Sequence, residues 1–135
     1  MNMHALVIVD EDCEPVGVTT AAEVEHAIGF ASEEARMQGM LNIIYIEAEN
    51  GDALTLVVGG DETVLGFTYG HGDPPSYESR GPADDIRPLL TAYVSLRHHT
   101  EFPRRCVIPM QMGMSAAKEF VETGSLPTCV SWAET

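Results

Sequence analysis

The chain has 135 residues, a length typical of one domain that can bury a hydrophobic core without cross-links. Seven Lys and Arg residues against 21 Asp and Glu residues give a formal net charge of −14. Direct binding to DNA, RNA or an anionic membrane is therefore disfavoured, because it needs clustered cations on the protein, and no apolar run approaches the ~20 residues of a membrane span.

The chain has an odd number of cysteines, and the three of them are widely spaced: Cys13, Cys106 and Cys129. This pattern favours free thiols over a disulfide framework, and free thiols are typical of the cytoplasm. Residues 1–4 carry no cationic stretch ahead of the short apolar run that follows, so we expect no secretory signal. The sequence predicts a cytoplasmic protein in which residues 1–135 form a single domain.

The negative charge is concentrated in the first part of the chain. Residues 1–78 hold fifteen acids and one base, Arg36, whereas residues 79–135 hold six acids and six bases. One interpretation is an acidic surface that keeps the protein soluble. The other is a field that steers a cationic partner, which can raise association rates by about 10–10³-fold at low salt. The asymmetry favours the second interpretation.

The chain opens with a predicted strand and helix. Residues 4–9 are apolar and rich in β-branched side chains, which indicates a buried strand. An acidic turn at 10–15 follows. Thr20 and Glu23 have the spacing of a capping box at the start of a helix, and apolar residues then recur on one helical face. We place this helix at about 19–37.

A meander of three strands is predicted next. Residues 41–48 carry apolar side chains on both faces, which is typical of a central strand. Asn50-Gly51 is a strong hairpin signal, so residues 53–58 form a strand antiparallel to the preceding one. After a turn at 59–62, residues 63–69 form the last strand of the meander.

The middle of the chain is less regular. Residues 70–76, rich in Gly and Pro, form a loop, and residues 77–81 read as a short edge strand. A connection at 82–87 leads to a strand at 89–96. Residues 97–105 are predicted to be a polar insertion.

A second helix begins at Pro109, since proline is tolerated at a helix start, and Thr123-Gly124 ends it. One face of this helix is apolar and comprises Met110, Met114, Ala117, Phe120 and Val121. Residues 129–132 form a final strand. The predicted fold class is α+β, a mostly antiparallel sheet with two helices packed on it.

Two side chains in the last third of the chain, Met112 and Trp132, are candidates for contact with a partner. Met112 points away from the apolar face of the second helix, so we expect it to be exposed. Trp132 is either an anchor for a partner or a lid over the core, and we favour the lid.

We find no catalytic signature in the sequence. Cys129 with His98 or His99 could form a thiol–imidazole pair, but no spacing rule links them, and a buried cysteine on the terminal strand is the favoured interpretation. Adjacent histidines on a strand point to opposite faces, and no metal-binding spacing is present. We expect no catalytic residue, no metal site and no cofactor, with a small Cys/His enzyme kept as the weaker alternative.

The last third of the chain carries a combined motif. Its pieces are Val107-Ile108-Pro109, Ala116-Ala117-Lys118-Glu119-Phe120, Thr123-Gly124, Pro127 and Val130-Ser131-Trp132. Together they resemble immunity-protein family 1 of bacterial polymorphic toxin systems. Gly60-Asp61 and Tyr77-Glu78-Ser79-Arg80-Gly81 are similar to the middle segments of that family, so the resemblance covers about residues 40–135.

The resemblance implies a cytosolic, non-enzymatic inhibitor that neutralises a cognate protein toxin. Several members of the family are paired with nucleic-acid deaminase toxins. Composition agrees independently, because a toxin that grips nucleic acid needs a cationic groove, and a protein of net charge −14 can occlude it by carboxylate–guanidinium pairing. The alternative is an acidic regulatory module that mimics nucleic acid. The oligomeric state is not predicted.

The partner-binding residues that we predict lie in acidic turns and in the long loop. They are Asp10, Glu11, Asp12 and Glu14 in the first turn, Asp61 and Glu62 in the second turn, and His71, Asp73 and Tyr77 in or beside the loop. The motif residues Pro109, Glu119, Phe120, Gly124 and Trp132 are expected to be chiefly structural.

Overall fold

The computed structural model describes residues 4–10, 12–82, 89–94 and 98–135. Its helices and strands, in chain order, are β1 (Ala5–Ile8), β2 (Val16–Val18), α1 (Ala21–Gln38), β3 (Asn42–Ala48), β4 (Ala53–Val58), β5 (Glu62–Thr63), β6 (Leu65–Thr68), β7 (Tyr77–Arg80), β8 (Leu90–Val94), β9 (His98–Phe102), a 3-10 turn (Arg104–Cys106), β10 (Ile108–Pro109), α2 (Met110–Thr123) and β11 (Ser131–Glu134).

Nine of the described strands form one sheet, whose main path is β11-β7-β6-β4-β3-β1-β2. All neighbours on this path are antiparallel. β8 branches off the path, because it runs parallel to the start of β3 and forms an antiparallel hairpin with β9. β5 and β10 form a separate antiparallel pair. The predicted class, α+β with a mostly antiparallel sheet and two helices, is confirmed.

The β3–β4 hairpin forms the centre of the sheet, as predicted. Gly51 has a φ of 90°, and the amide of Asp52 donates to the side-chain oxygen of Asn50 at 3.0 Å. A positive φ at this position favours glycine. The turn thereby fixes the register of the two strands, in which Ile44 lies opposite Leu56.

Apolar side chains fill the space on both faces of the sheet. Beneath the helices, the core includes Val7, Ile28, Ile44, Leu56, Phe67 and Phe120. The opposite face has a smaller core, which includes Ile43, Val57, Leu90, Cys106 and Val107. Because successive strand residues alternate between faces, the doubly apolar strand β3 contributes to both cores.

α1 has the predicted ends. Thr20 caps it, since the Thr20 hydroxyl accepts from the amide of Glu23 at 3.1 Å. The Glu23 carboxylate in turn accepts from the amide and hydroxyl of Thr19, each at 2.9 Å, and these hydrogen bonds lower the pKa of Glu23. Gly39, in the left-handed conformation with a φ of 71°, ends the helix.

α2 also follows the prediction. It begins at Met110, directly after Pro109, and ends at Gly124, whose φ is 72°. Phe120 is fully buried, while Met110 and Met114 pack against the same core with partial exposure. Met112 is 39% exposed, as expected for the methionine on the outer face.

The strand predicted at 63–69 is broken in two. Thr63 belongs to β5, which pairs with β10, and β6 begins only at Leu65. Two hydroxyls account for the break. The Thr63 hydroxyl donates to the carbonyl of Val57 at 2.8 Å and accepts from its amide at 3.0 Å, so a side chain replaces a strand partner there. The Ser79 hydroxyl likewise accepts from the amide of Leu65 at 3.0 Å.

The sequence prediction missed three strands, β2, β9 and the two-residue β10. Residues 97–105, predicted to be a polar insertion, contain β9, which pairs with β8 along its whole length. β2 lies in a stretch to which no element was assigned, and it pairs with β1. Of the strand predicted at 89–96, β8 is confirmed, while residues 95–97 lie outside the described residues, as do residues 83–88.

The edge of the sheet also differs from the prediction. The strand predicted at 77–81 is not at the edge, because β11 pairs outside β7. β11 begins at Ser131 rather than at Cys129. Cys129 is consequently an exposed residue ahead of the strand, and the buried cysteine is Cys106. Trp132 packs against the helix-side core and donates to the carbonyl of Pro127 at 2.7 Å, which confirms its role as a lid.

Candidate functional site

The predicted partner-binding residues fall at opposite ends of the sheet. The strand registers place the turn at 10–15 and the turn at 59–62 at one end, which we call the acidic end. The same registers place the loop at 70–76 and Tyr77 at the other end, which we call the aromatic end. The seven residues of β3 separate these ends by about 20 Å.

The β1–β2 turn supplies most of the carboxylates of the acidic end. Asp10 organises the turn, because its carboxylate accepts from the amide of Asp12 at 3.0 Å and its carbonyl accepts from the amide of Cys13 at 3.1 Å. Asp12 and Glu14 are exposed, and Glu11 lies outside the described residues. The turn thus holds at least three carboxylates close together in the chain.

The second turn of the acidic end is tied to the rest of the fold. The carbonyl of Asp61 accepts from the amide of Met110 at 2.8 Å, and its side chain is exposed. The Glu62 carboxylate pairs with the guanidinium of Arg104 at 2.8 Å. Because this ion pair offsets the charge of Glu62, Asp61 is the freer carboxylate of the two for a partner.

The aromatic end is a stack of rings. Tyr69 stacks on His71 with ring centroids 5.4 Å apart, and it meets Tyr77 edge-on at 6.4 Å. The ring nitrogen Nδ1 of His71 accepts from the amide of Asp73 at 2.9 Å. Desolvation raises the pKa of the Tyr77 hydroxyl, with smaller contributions from Tyr69 and Glu134. Tyr69 was not among the predicted residues, although its place beside the Gly-rich loop was visible in the sequence.

A groove that the sequence did not predict runs between α1 and the strands β1 and β2. α1 packs against α2 and also contacts β2, β3 and β4, but it leaves Val16 of β2 48% exposed. The groove has a volume of about 870 Å³. Its lining includes Val9, Val16, Phe30, Glu34 and Asn42, and its rim continues into the acidic end through Asp10 and Glu14.

One signal in the sequence could have indicated this groove. The buried face of α1 consists of Val24, Ala27, Ile28, Ala31 and Ala35. Phe30 lies outside that face and is 64% exposed. A large aromatic side chain beside the apolar face of a helix extends the apolar surface beyond the core.

Cys129 and the histidines with which it could form a thiol–imidazole pair belong to separate parts of the sheet. β9, which carries the histidines, lies on the branch that leaves the main path at β3, whereas β11, which follows Cys129, lies at one end of that path. The side chain of His98 lies outside the described residues, and His99 faces Glu101 at 3.9 Å. Partial desolvation and the neighbouring Glu119 raise the pKa of the exposed Cys129, while burial raises that of Cys106 to about 11.

Metal ligands are likewise dispersed. In the described part of the chain, no group of three or more His, Cys, Asp or Glu side chains is placed to hold a metal ion. None of the described helices is long and apolar enough to cross a membrane.

Comparison with known families identifies the family of this chain. The family model described as "Immunity protein Imm1" matches residues 12–134. The chain belongs to the Imm1 immunity protein family. The match extends further towards the N-terminus than the resemblance noted at about residues 40–135, and it includes β2 and α1, which line part of the groove. No curated protein matches the chain.

The residues that carried the Imm1 resemblance build the connection from α2 to β11. The Glu119 carboxylate accepts from the amide of Thr128 at 2.6 Å and from its hydroxyl at 3.0 Å. Phe120 is buried on the inner face of α2. The indole nitrogen of Trp132 donates to the carbonyl of Pro127 at 2.7 Å. These side chains hold the last strand in place, so their roles are structural, as expected.

Proposed function

We propose that this Imm1 protein binds and neutralises a cognate bacterial toxin in the cytoplasm by covering the toxin's working surface. The family supports an immunity role with a toxin as partner. Residues 1–135 act as a single immunity domain in this proposal. The protein catalyses no reaction of its own.

The toxin that fits this protein best acts on nucleic acid, and a nucleic-acid deaminase is the leading candidate. Such a toxin needs cationic side chains to hold phosphates. The observation that carries the proposal is that two turns place Asp10, Asp12, Glu14 and Asp61 at the same end of the sheet. Carboxylates pair strongly with guanidinium groups, so this surface can occlude a cationic cleft.

Cys129, the thiol of the alternative Cys/His enzyme, and the buried Cys106 support a binding protein over that enzyme. A nucleophilic cysteine works as a thiolate, which requires a lowered pKa. The pKa values of Cys106 and Cys129 are both raised. Both thiols are therefore held in the form that is the poorer nucleophile.

One end of the sheet is favoured as the interface. A standard interface buries about 800 Å² on each partner, and the acidic end carries exposed carboxylates from two turns. We therefore assign the toxin contact to the acidic end. The residues of the aromatic end, His71, Asp73 and Tyr77, stay a separate prediction for a second contact.

Association with the toxin encoded beside this protein tests the proposal. A catalytically inactive form of that toxin should co-purify with the protein and bind it with a Kd at or below the low micromolar range in about 0.15 M salt. Stoichiometric addition of the protein should abolish the activity of the active toxin.

Three outcomes contradict the proposal. The first is a lack of association with the toxin. The second is turnover of a substrate by the purified protein that is lost when one side chain is removed. The third is binding of a host DNA-binding protein in place of the toxin, which supports the nucleic-acid-mimic alternative.

A further inference from the structure

The groove between α1 and the strands β1 and β2 exposes apolar surface in a concave place. Phe30 is 64% exposed and Val16 is 48% exposed, and both line the groove with Val9. Singly exposed apolar side chains are ordinary, whereas several that share one concavity mark a binding site. The volume of about 870 Å³ is enough for several side chains of a partner.

Carboxylates surround this apolar surface. Asp10 and Glu14 reach the groove from the β1–β2 turn, and Glu34 reaches it from α1. No Lys or Arg lies among the described residues that line the groove, and the nearby Arg36 pairs with Glu33 at 2.6 Å. The groove therefore favours a cationic occupant.

A buried amide in the groove lacks one hydrogen bond. Asn42 lines the groove and is only 4% exposed. Its side-chain nitrogen donates to the carbonyl of Val9 at 3.3 Å, but its side-chain oxygen accepts no hydrogen bond from the described residues. A buried acceptor without a partner is costly and uncommon. The oxygen is closed off in the free protein, so an occupant that shifts its neighbours and brings a donor has an energetic advantage.

We infer that the groove receives a cationic segment of the toxin, an inference that rests on the proposed function. The segment carries an apolar side chain that packs against Phe30 and Val16 and a Lys or Arg that pairs with Glu14 or Glu34. It also supplies an N–H or O–H donor to Asn42. A small apolar ligand would use the floor of the groove but not its carboxylates, so the acidic rim favours a protein segment.

Truncation of Phe30 tests the apolar contact. Phe30→Ala should weaken binding of the inactive toxin at least tenfold by calorimetry, because a central aromatic anchor is removed. Met37→Ala is the matched control, since Met37 is a 79% exposed apolar residue of the same helix and does not line the groove. The control should change the Kd by less than threefold.

Charge reversal tests the rim. The double variant Glu14→Lys and Glu34→Lys should weaken binding at least tenfold. The double variant Glu49→Lys and Glu122→Lys carries the same change in net charge at exposed positions outside the groove, one in a turn and one near a helix C-terminus. This control separates a local contact from the loss of overall charge, and it should bind within threefold of the wild type.

The wild-type protein provides a test without substitution. The side-chain amide resonance of Asn42 should shift in NMR spectra when the inactive toxin is added, together with the backbone amides of β2 and α1. The thermal transition of each variant is compared with that of its control. Equal transitions show that a loss of affinity does not come from a loss of folding.

The outcomes separate the two proposals. If the wild type does not bind the toxin, the proposed function fails and this inference fails with it. If the wild type binds but Phe30→Ala binds as well as Met37→Ala, only the groove is wrong. A co-purifying apolar small molecule that native mass spectrometry detects and that the toxin does not displace also overturns the inference.

Discussion

Two hydroxyl groups decide how the chain passes from β4 to β6. Ser79 is fully buried, and its hydroxyl accepts from the amide of Leu65 at 3.0 Å while donating to the carbonyl of Cys106 at 2.6 Å. One side chain thus satisfies two main-chain groups of separate segments. Alternation in the sequence predicts a strand over 63–69, but it cannot show that hydroxyls distant in sequence replace strand partners there.

Removal of the Ser79 hydroxyl should be costly. Ser79→Ala leaves a buried amide and a buried carbonyl unpaired, so we expect the free energy of unfolding to fall by about 2–4 kcal/mol. Urea unfolding measures the loss from the transition midpoint. Ser131→Ala, on the neighbouring strand β11 and exposed, should change the stability by less than about 0.5 kcal/mol. Equal effects of the two substitutions would show that the buried hydroxyl is not needed.

Two glycines within the helices differ in their surroundings, because Gly113 is buried and Gly29 is exposed. A Cβ atom at Gly113 in α2 would lie 2.5 Å from Cγ2 of Thr63, whereas a Cβ atom at Gly29 in α1 would meet nothing within 4 Å. Helix propensity favours alanine over glycine at both positions by about 1 kcal/mol. Packing therefore decides whether alanine stabilises or destabilises the protein at Gly113. At Gly29, helix propensity decides it.

Alanine at these two glycines should have opposite effects. Gly113→Ala forces α2 away from β5, and we expect a net loss of about 1–2 kcal/mol after the gain in propensity. Gly29→Ala should stabilise the protein by about 0.5–1 kcal/mol. Thermal unfolding of both variants measures the effects, and stabilisation by Gly113→Ala would contradict the close approach of α2 to β5.

Local signals explain which elements could be predicted. α1 has a capping box and a helical repeat of apolar residues, and the β3–β4 hairpin has Asn50-Gly51, so both are specified within short windows. β9 has the polar sequence His98–Phe102 and is a strand because β8 pairs with it. The candidate site was predictable only in part. The turn acids stand out in the sequence, but the groove exists because α1 leaves β1 and β2 partly uncovered.

At the scale of the whole molecule, the net charge of −14 has two opposing consequences. Like charges repel within the folded protein, which disfavours the compact state, and the same field attracts a cationic toxin. The described ion pairs do little to compensate for this destabilising repulsion. Pairs such as Arg36 with Glu33 are exposed, and exposed pairs contribute little stability. Salt screens both the repulsion and the attraction.

Salt should therefore stabilise the free protein and slow its association with the toxin. Raising the ionic strength from about 0.01 M to about 0.15 M shortens the screening length from about 30 Å to about 8 Å. We expect the Tm of the free protein to rise in calorimetry. The association rate constant from stopped-flow measurements should fall about tenfold, with a smaller change in the dissociation rate. An association rate that is independent of salt would contradict electrostatic steering.

The antiparallel register has a practical consequence for how the molecule can be handled. Thr135 lies at the aromatic end, where its amide donates to the carbonyl of Ser76 at 2.9 Å, while the turns at 10–15 and 59–62 lie at the opposite end. A tether or fluorescent fusion attached behind Thr135 would project away from those turns. Immobilisation through that point leaves the carboxylates facing the solution, so sensor-surface measurements can be made without blocking them.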